Sequence, residues 1–222
     1  MTCSPFHFGG QSWAALSEGA LYWHERRALI VADLHLEKAS AYAERGQMLP
    51  PYDSLATLAA LEHALARTGA RALWCLGDSL HDDRAAARMS AEVRDRLARL
   101  TARLDWTWIT GNHDPSPSPA LGGRIVEEAE VDGIVLRHEA LPGERRPELS
   151  GHFHPKWRVS LRGRLVSRRC FVMGESKLIL PSFGAFTGGL DAAAPPIRAL
   201  IGGDAEALVP LPSRLLRFPM RA

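Results

Sequence analysis

Short apolar runs alternate with amphipathic segments through the first half of the chain. The runs at 28–32, 72–76 and 106–110 contain no charged side chain, and such runs are typical of strands buried on both faces of a sheet. Leucine or valine recurs at every third or fourth position over 55–65 and 93–104, which is the spacing of an amphipathic helix. This alternation predicts an α/β fold with a largely parallel sheet, in which ligand sites form beyond the carboxyl ends of the strands.

The second half of the chain has a different pattern. Short apolar or alternating segments, separated by glycine turns, predict strands at 133–137, 157–161, 165–172 and 177–180. Near the start, two apolar segments flank a Ser-Glu-Gly turn and predict a hairpin of strands at 13–16 and 20–23. We therefore expect a second, more antiparallel sheet beside the parallel one.

The bulk composition is that of an ordinary globular protein. The 222 residues are enough for one sizeable core, so we predict a single domain over 1–222. Of the residues, 46% are hydrophobic and 23% are charged, unlike a disordered chain. The net charge of +2 is too small to indicate a nucleic-acid partner by itself.

The cysteines and the apolar runs bear on the compartment. Cys3, Cys75 and Cys170 are far apart and include no C-x-x-C pair, so they predict neither a disulfide framework nor a zinc site. The first ten residues lack the basic and apolar regions of a signal peptide, and no run approaches the ~20 apolar residues of a membrane span. We expect a cytoplasmic protein with no membrane partner, and the sequence does not indicate an oligomeric state.

Side chains that commonly bind metals follow the predicted strands. These candidate ligands are Asp33, His35, Asp78, Asn112, His138, His152 and His154. Taken singly, an Asp or a His after a strand is more often part of a turn than a metal ligand. Carboxylate, imidazole and amide groups without thiolates suit Mn²⁺, Zn²⁺, Fe²⁺ or Mg²⁺. Their shared position at strand ends would allow these side chains to converge at one edge of a sheet.

The order of these motifs resembles that of the calcineurin-like metallophosphoesterases. The resemblance implies a four-layer α/β/β/α sandwich of two mixed sheets, with two divalent ions, Mn²⁺ being expected, between the sheet edges. The implied ligands are Asp33, His35 and His154 for one ion, and Asn112, His138 and His152 for the other. Asp78 would bridge the ions, because a shared carboxylate offsets the repulsion between two dications ~3.5–4 Å apart.

Two further residues receive chemical roles from the resemblance. His113 matches the family's catalytic histidine, which lies near the substrate oxygens and protonates the leaving group or stabilises its charge. Asp114 would orient the His113 imidazole, as carboxylates commonly do. The implied reaction is hydrolysis of a phosphoester by attack of a metal-bound hydroxide, without a covalent enzyme intermediate.

Longer stretches of the chain look like one bacterial subgroup of that family, the ligase-associated DNA damage response endonucleases of the PdeM type. These stretches are 31–39, 45–47, 49–53, 76–82 and 180–189. The resemblance implies a DNA substrate, a role in DNA repair, and a DNA ligase, a helicase and a nuclease as partners. A phosphodiesterase or phosphatase acting on nucleotides or other small esters is the alternative. A non-catalytic scaffold is a second alternative, and the presence of His113, His152 and His154 argues against it.

A basic stretch follows the last two ligands. Its six cations, among which there is no acid, are Lys156, Arg158, Arg162, Arg164, Arg168 and Arg169. They predict either an exposed basic hairpin or a surface that contacts DNA phosphates. Lys156 and Arg158 are candidate substrate contacts. His81 is another candidate, with a solvated loop position as its alternative, while Lys38 and Arg45 are either phosphate contacts or part of a solvated helix face.

Overall fold

The computed structural model describes residues 5–220 of the chain, apart from the side chain of Leu161. Its strands form two seven-stranded sheets and one separate two-stranded ribbon. Cys3 lies outside the described residues, whereas Cys75 and Cys170 are buried free thiols. None of the helices within the described range is long and apolar enough to cross a bilayer.

The first sheet carries the strands that precede most of the candidate ligands. Its strands, in the order in which they lie across the sheet, are β1 (Phe6–Phe8), β2 (Gln11–Ala15), β3 (Leu21–Trp23), β4 (Ala28–Val31), β5 (Ala72–Leu76), β6 (Asp105–Ile109) and β7 (Arg124–Val126). From β1 to β4 the pairing is antiparallel, and from β4 to β7 it is parallel. The predicted hairpin is confirmed as β2 and β3, and the three predicted buried strands are confirmed as β4, β5 and β6.

The second sheet is mixed in direction. The remaining strands of the chain are β8 (Ala129–Val131), β9 (Ile134–Leu136), β10 (Glu148–Ser150), β11 (Lys156–Leu161), β12 (Arg164–Arg169), β13 (Phe171–Met173), β14 (Lys177–Ile179), β15 (Ala205–Leu211) and β16 (Arg214–Met220). Strands β11 and β12 form the separate ribbon, and the others form the second sheet in the order β16-β15-β13-β14-β10-β9-β8. Strand β10 runs parallel to β9 and β14, while the other pairs are antiparallel.

The strand predicted at 165–172 is wrong as a single element. The chain leaves the ribbon at Arg169 and enters the second sheet at Phe171, with the buried Cys170 between the two strands. An alternating pattern reports which side chains are buried but not which sheet buries them. The prediction therefore merged two strands that belong to different sheets.

Helices cover the outer faces of the sheets. They are α1 (Lys38–Glu44), α2 (Asp53–Thr68), α3 (Ala85–Arg88), α4 (Ala91–Thr101) and α5 (Pro195–Ile201), with a short 3-10 helix at Pro119–Leu121. At the start of α4, the Ser90 hydroxyl oxygen accepts a hydrogen bond from the Val93 N–H at 3.3 Å, as N-cap residues do. Helix α2 ends at Gly69, whose φ of 63° carries no steric cost for glycine. These helices confirm the two predicted amphipathic segments.

Three hydrophobic clusters separate four layers. Leu61 of α2 and Leu97 of α4 belong to the cluster between the helices and the first sheet. Trp13 of β2 and Phe171 of β13 belong to the cluster between the two sheets. Ile197 of α5 lies in a third cluster on the outer face of the second sheet. The sequence of helix, sheet, sheet and helix confirms the predicted α/β/β/α sandwich.

Candidate metal centre

The candidate ligands all lie in loops that follow strands. They are Asp33 and His35 after β4, Asp78 after β5, Asn112 after β6, His138 after β9, and His152 and His154 after β10. Strands β4 to β6 are parallel neighbours, as are β9 and β10, so each sheet carries its loops to one edge. The two edges meet where His138 Nδ1 donates a hydrogen bond to the carbonyl oxygen of Leu76 at 3.0 Å.

Asp33, His35 and His154 form what we call the first ligand group. Their ligand atoms lie within 4.8 Å of one another. His154 Nε2 is 3.3 Å from Asp33 Oδ1 and 3.4 Å from His35 Nε2. The pKa of His35 is lowered to about 2. Burial is the largest cause, and the nearby His154, His113 and His81 imidazoles and the Lys38 ammonium add to it. His35 is therefore neutral near pH 7, which is the form that binds a metal.

Asn112, His138 and His152 form the second ligand group. His138 Nε2 and His152 Nδ1 each lie 3.0 Å from Asn112 Oδ1. The two ring nitrogens are 3.1 Å apart. The sequence therefore predicted correctly that these side chains lie close together, although they come from both sheets.

Asp78 lies between the two groups. Its Oδ2 is 3.9 Å from His35 Nε2 in the first group, and its Oδ1 is 3.4 Å from His138 Nε2 in the second. Oδ1 also accepts a hydrogen bond from the His113 backbone N–H at 2.8 Å. One carboxylate thus faces both groups, as a bridging ligand must.

The backbone at the ligands is conformationally unusual. Five of the seven candidate ligands have left-handed φ values, namely Asp33 at 54°, His35 at 43°, Asp78 at 47°, His152 at 70° and His154 at 48°. This region costs a non-glycine residue roughly 1–2 kcal/mol, and such strain is concentrated at functional sites. Hydrogen bonds hold the turns in place; the His152 N–H donates to both carboxylate oxygens of Asp33, at 3.2 and 3.0 Å.

His113 stands next to the ligands without belonging to either group. Its ring lies 4.9 Å from the ring of His35, centroid to centroid. Its Nδ1 lies 2.8 Å from the carbonyl oxygen of His81, and because a carbonyl only accepts, this nitrogen carries the proton. The predicted catalytic histidine is therefore oriented by a backbone carbonyl and leaves Nε2 for other partners.

The prediction that Asp114 orients the His113 imidazole is wrong. Its carboxylate is fully buried, and it accepts hydrogen bonds from the backbone N–H groups of Ser79 at 2.8 Å, Leu80 at 3.0 Å and Gly111 at 3.0 Å. Burial, opposed by these hydrogen bonds, raises the pKa of Asp114 to about 6. Asp114 thus ties the loop after β6 to the loop after β5 and acts on His113 only through the backbone.

His81 is buried, so its alternative reading as a solvated loop residue is wrong. The side chain is 8% exposed. Its ring lies 5.3 Å from that of His113 and 5.7 Å from that of His35, and its Nδ1 has no hydrogen-bond partner among the described residues. The pKa of His81 is lowered to about 4, mainly by burial and to a smaller extent by the charges of His113 and Lys38.

Comparison with known proteins identifies the family. A family model for calcineurin-like phosphoesterases matches residues 26–166. The chain belongs to the calcineurin-like phosphoesterase family.

Two solved structures are similar to the chain. The crystal structure of nuclease MPE from Pseudomonas putida is 35% identical in sequence. The match covers 98% of this chain and 100% of the nuclease chain, with a TM-score of 0.76. The phosphoesterase YfcE from E. coli is 17% identical over 82% of this chain and 87% of its own, with a TM-score of 0.41. No functionally curated protein matches the chain.

This member of the calcineurin-like phosphoesterases is a metal-dependent phosphoesterase, and its donor set fits divalent ions. His138 Nδ1 donates to Leu76, so His138 Nε2 presents a lone pair. That lone pair faces Asn112 Oδ1, another acceptor, at 3.0 Å. A divalent cation between these two atoms would be bound by both, and imidazole with carboxylate and amide oxygen suits several divalent metals.

The basic ribbon, β11 and β12, begins two residues after His154. The predicted exposed hairpin is confirmed, since four of its arginines, Arg158, Arg162, Arg164 and Arg168, are exposed. Lys156 is half-buried, and its Nζ donates to the carbonyl oxygen of Thr187 at 3.2 Å. Burial, followed by Arg169, Arg158 and Lys38, lowers the pKa of Lys156. Several cations of this phosphoesterase therefore cluster beside the first ligand group.

Arg158, although exposed, and Arg169, the ribbon's remaining cation, each have a contact outside the ribbon. Arg158 Nε lies 3.9 Å from the Asp191 carboxylate, a weak contact that leaves its guanidinium available. Arg169 donates to the carbonyl oxygens of Glu18 at 3.3 Å and Gly184 at 2.6 Å. Its guanidinium therefore serves the packing of the fold.

Sequence reasoning assigned no chemistry to the loop after β14, which in fact supports the ligands. The N–H groups of Phe183 and Gly184 donate to the carbonyl oxygens of Ala32 at 2.8 Å and Asp33 at 3.1 Å. A Cβ on Gly184 would lie 2.1 Å from the carbonyl oxygen of Leu34. The sequence indicated a structural turn at 181–184, within a stretch that resembles the subgroup, but it did not reveal which segment the loop contacts.

Proposed function

We propose that this phosphoesterase is a DNA endonuclease that hydrolyses phosphodiester bonds with two divalent ions, Mn²⁺ being the expected metal, in bacterial DNA repair. The observation that carries the proposal is the basic ribbon beside two ligand groups joined by Asp78. The nuclease MPE of Pseudomonas putida, which is similar over nearly the whole chain, supports it. A DNA ligase, a helicase and a nuclease of the same repair system are the expected partners.

The charge of the site favours an anionic substrate. Among the candidate ligands only Asp33 and Asp78 are anions, so two dications leave about two positive charges uncompensated. When bound, the two ions would polarise the phosphoryl group and lower the pKa of an attacking water. A phosphodiester brings the negative charge that the site lacks.

His113 is the residue that handles the proton of the leaving group. Its Nδ1 proton is engaged by the His81 carbonyl oxygen, so His113 acts in this step as the imidazolium. Nε2 gives its own proton to the leaving oxygen as the phosphorus–oxygen bond breaks, and the ring is left neutral. Groups of this kind contribute ~10²–10⁴-fold to rate. His81 supplies the contact that sets the ring orientation, and Asp114 holds the loop that carries both His113 and Asn112.

Lys156 and Arg158 contact the DNA backbone in this proposal. Both lie at the start of the ribbon, within four residues of His154, and cations beside a catalytic centre position nucleic acid without reading its sequence. Binding should therefore weaken steeply as salt rises. Arg158→Gln should lower the salt dependence without changing metal content.

Plasmid nicking tests the function directly. Manganese-reconstituted protein should convert supercoiled plasmid to the nicked form, and both chelation and His113→Ala should suppress this, the latter by ~10²–10⁴-fold with metal content retained. His24→Ala, which removes an exposed imidazole in the turn before β4, is the matched control. Intact plasmid together with hydrolysis of a small phosphodiester would instead assign the enzyme to nucleotide-sized esters. Parallel reconstitution with Zn²⁺, Fe²⁺ and Mg²⁺ tests the choice of metal.

A further inference from the structure

Two exposed aromatic side chains contact each other on segments that adjoin the loops of the first ligand group. Tyr52, at the start of α2, is 55% exposed, and Phe186, in the loop after β14, is 43% exposed. Their ring centroids lie 5.6 Å apart with an interplanar angle of 62°. Large apolar side chains scattered singly on a surface need no explanation, but clustered exposed ones indicate an interaction site.

The loop that carries Phe186 borders the first ligand group on two sides. At one end, Gly184 packs on the loop after β4, where a Cβ would lie 2.1 Å from the Leu34 carbonyl oxygen. At the other end, Gly189 packs on the loop after β10, where a Cβ would lie 2.1 Å from the His154 carbonyl oxygen. Phe186 thus lies in a segment whose two ends pack on the loops that carry Asp33 and His154.

The same loop is held firmly by its own hydrogen bonds. The Ala185 N–H donates to Thr57 Oγ1 at 2.9 Å, and the Thr187 hydroxyl donates to the Gly184 carbonyl oxygen at 2.8 Å. Phe186 itself has a left-handed φ of 56°, which costs a non-glycine residue roughly 1–2 kcal/mol. An exposed aromatic ring on a fixed, strained backbone loses little freedom when a ligand binds, so it is preorganised for contact.

Cations lie beside the aromatic pair. The Lys156 ammonium donates to the Thr187 carbonyl oxygen at 3.2 Å, one residue after Phe186. Helix α1, which begins at Lys38, is joined to the start of α2 by the hydrogen bond from the Ala39 N–H to the Asp53 carboxylate at 2.9 Å. The pKa of Lys156 is lowered mainly by burial and then by the charges of Arg169 and Arg158. Lys38 is near enough to make a further, smaller contribution. A ligand with a flat apolar group and a neighbouring negative charge fits this arrangement.

We propose that Tyr52 and Phe186 form a stacking site for an unpaired base of a DNA strand, with Lys38 and Lys156 on the adjoining phosphates. This inference rests on the proposed endonuclease function and refines its substrate class. Bases stack on aromatic side chains without sequence preference, while lysines follow the backbone. In a duplex the base faces are covered by their neighbours, so the site selects single-stranded or unpaired segments.

Binding to two oligomers with equal charge tests the stacking site. In the manganese-loaded His113→Ala protein, which should cleave ~10²–10⁴-fold more slowly, fluorescence anisotropy would compare a labelled oligothymidylate with an abasic oligomer of equal length. The oligothymidylate should bind more tightly, and Phe186→Ala and Tyr52→Ala should each weaken it by ~5–10-fold, the lower part of the range for stacked bases. The abasic oligomer should be unaffected. Leu141→Ala, at a position 49% exposed in the loop between β9 and β10, is the matched control.

The outcomes separate this inference from the proposed function. Equal binding of the two oligomers by the parent protein, or equal weakening of both by Phe186→Ala and Tyr52→Ala, would overturn the stacking site even if plasmid is nicked. Anisotropy measures binding and does not depend on cleavage, so the endonuclease function is tested separately. A wild-type enzyme that hydrolyses small esters but no DNA would overturn that function. Retention of tight oligothymidylate binding by Phe186→Tyr would support stacking.

Discussion

Alanine in place of Gly77 should displace His138 from the second ligand group. A Cβ at this position would lie 2.4 Å from both Cγ and Nδ1 of His138 and 2.6 Å from its Cβ. Because ordinary contacts begin near 3.4 Å, the ring or the loop after β5 must move by about 1 Å. That movement would also strain the 3.0 Å hydrogen bond from His138 Nδ1 to Leu76, which fixes the ring.

Gly133 provides the matched control for this substitution. Its φ of 76° is close to the 73° of Gly77, but nothing lies within 4 Å of the position of its Cβ. Both alanine variants should therefore lose roughly 1–2 kcal/mol of stability to backbone strain, or about 2–4 °C in Tm for each kcal/mol. Only Gly77→Ala should also lose catalysis, by ~10²-fold, the usual effect of a 1 Å misplacement in an active site.

Three measurements on each variant separate these effects: the Tm, the metal content after reconstitution, and kcat/KM for a small phosphodiester. Gly133→Ala should differ from wild type in Tm alone. Gly77→Ala should also bind metal ~10–100-fold more weakly, the usual effect of disturbing the groups that orient a ligand. Equal activity and metal content in the two variants would show that the close contact between Gly77 and His138 does not position the ligand.

Asp114→Asn should lower the free energy of unfolding by about 1–3 kcal/mol. The three backbone N–H groups that donate to the carboxylate remain, and the amide must turn its NH₂ toward at least one of them. An unchanged urea midpoint would contradict this. Chelation should lower the Tm by about 5–10 °C, since a ligand at a hundred times its Kd stabilises by about 2.7 kcal/mol, and a Tm independent of metal would exclude a folded-state metal site. Lys177→Met should destabilise by about 3 kcal/mol, because it removes the nearer of two cations from the buried Glu148 carboxylate, Lys177 at 2.8 Å, and leaves only Arg137 Nε at 3.8 Å. Adding Glu148→Gln should restore part of that loss in thermal denaturation, and no restoration would indicate that packing of the lysine stem was responsible.

The predicted and observed elements agree best where the chain alternates between buried strands and amphipathic helices. The runs at 72–76 and 106–110 differ from β5 and β6 by at most one residue at either end. Such runs report burial directly, because a strand covered on both faces tolerates almost no polar side chain. By contrast, the strand predicted at 165–172 spans parts of both β12 and β13, because burial alone does not identify the sheet.

In the candidate site, too, properties of short segments could be predicted, whereas contacts between residues far apart in the chain could not. The chemical types of the seven ligands, and their places after strands, could be predicted from the sequence because both are properties of short segments. The environments of Asp114 and His81 could not. Asp114 contacts Ser79 and Leu80, which lie 35 and 34 residues earlier in the chain, and His81 is buried by side chains from other loops.

The sequence by itself determined the α/β class, the family and the candidate metal-binding side chains, because the hydrophobic period and the order of motifs are properties of the chain itself. Only the tertiary structure decided that Asp78 faces both ligand groups, that a backbone carbonyl rather than Asp114 holds His113, and that the exposed rings of Tyr52 and Phe186 contact each other. These features depend on which loops meet at the two sheet edges. The packing of the two sheets determines which loops contact each other. The residues concerned are too far apart in the chain for a local sequence pattern to predict these contacts.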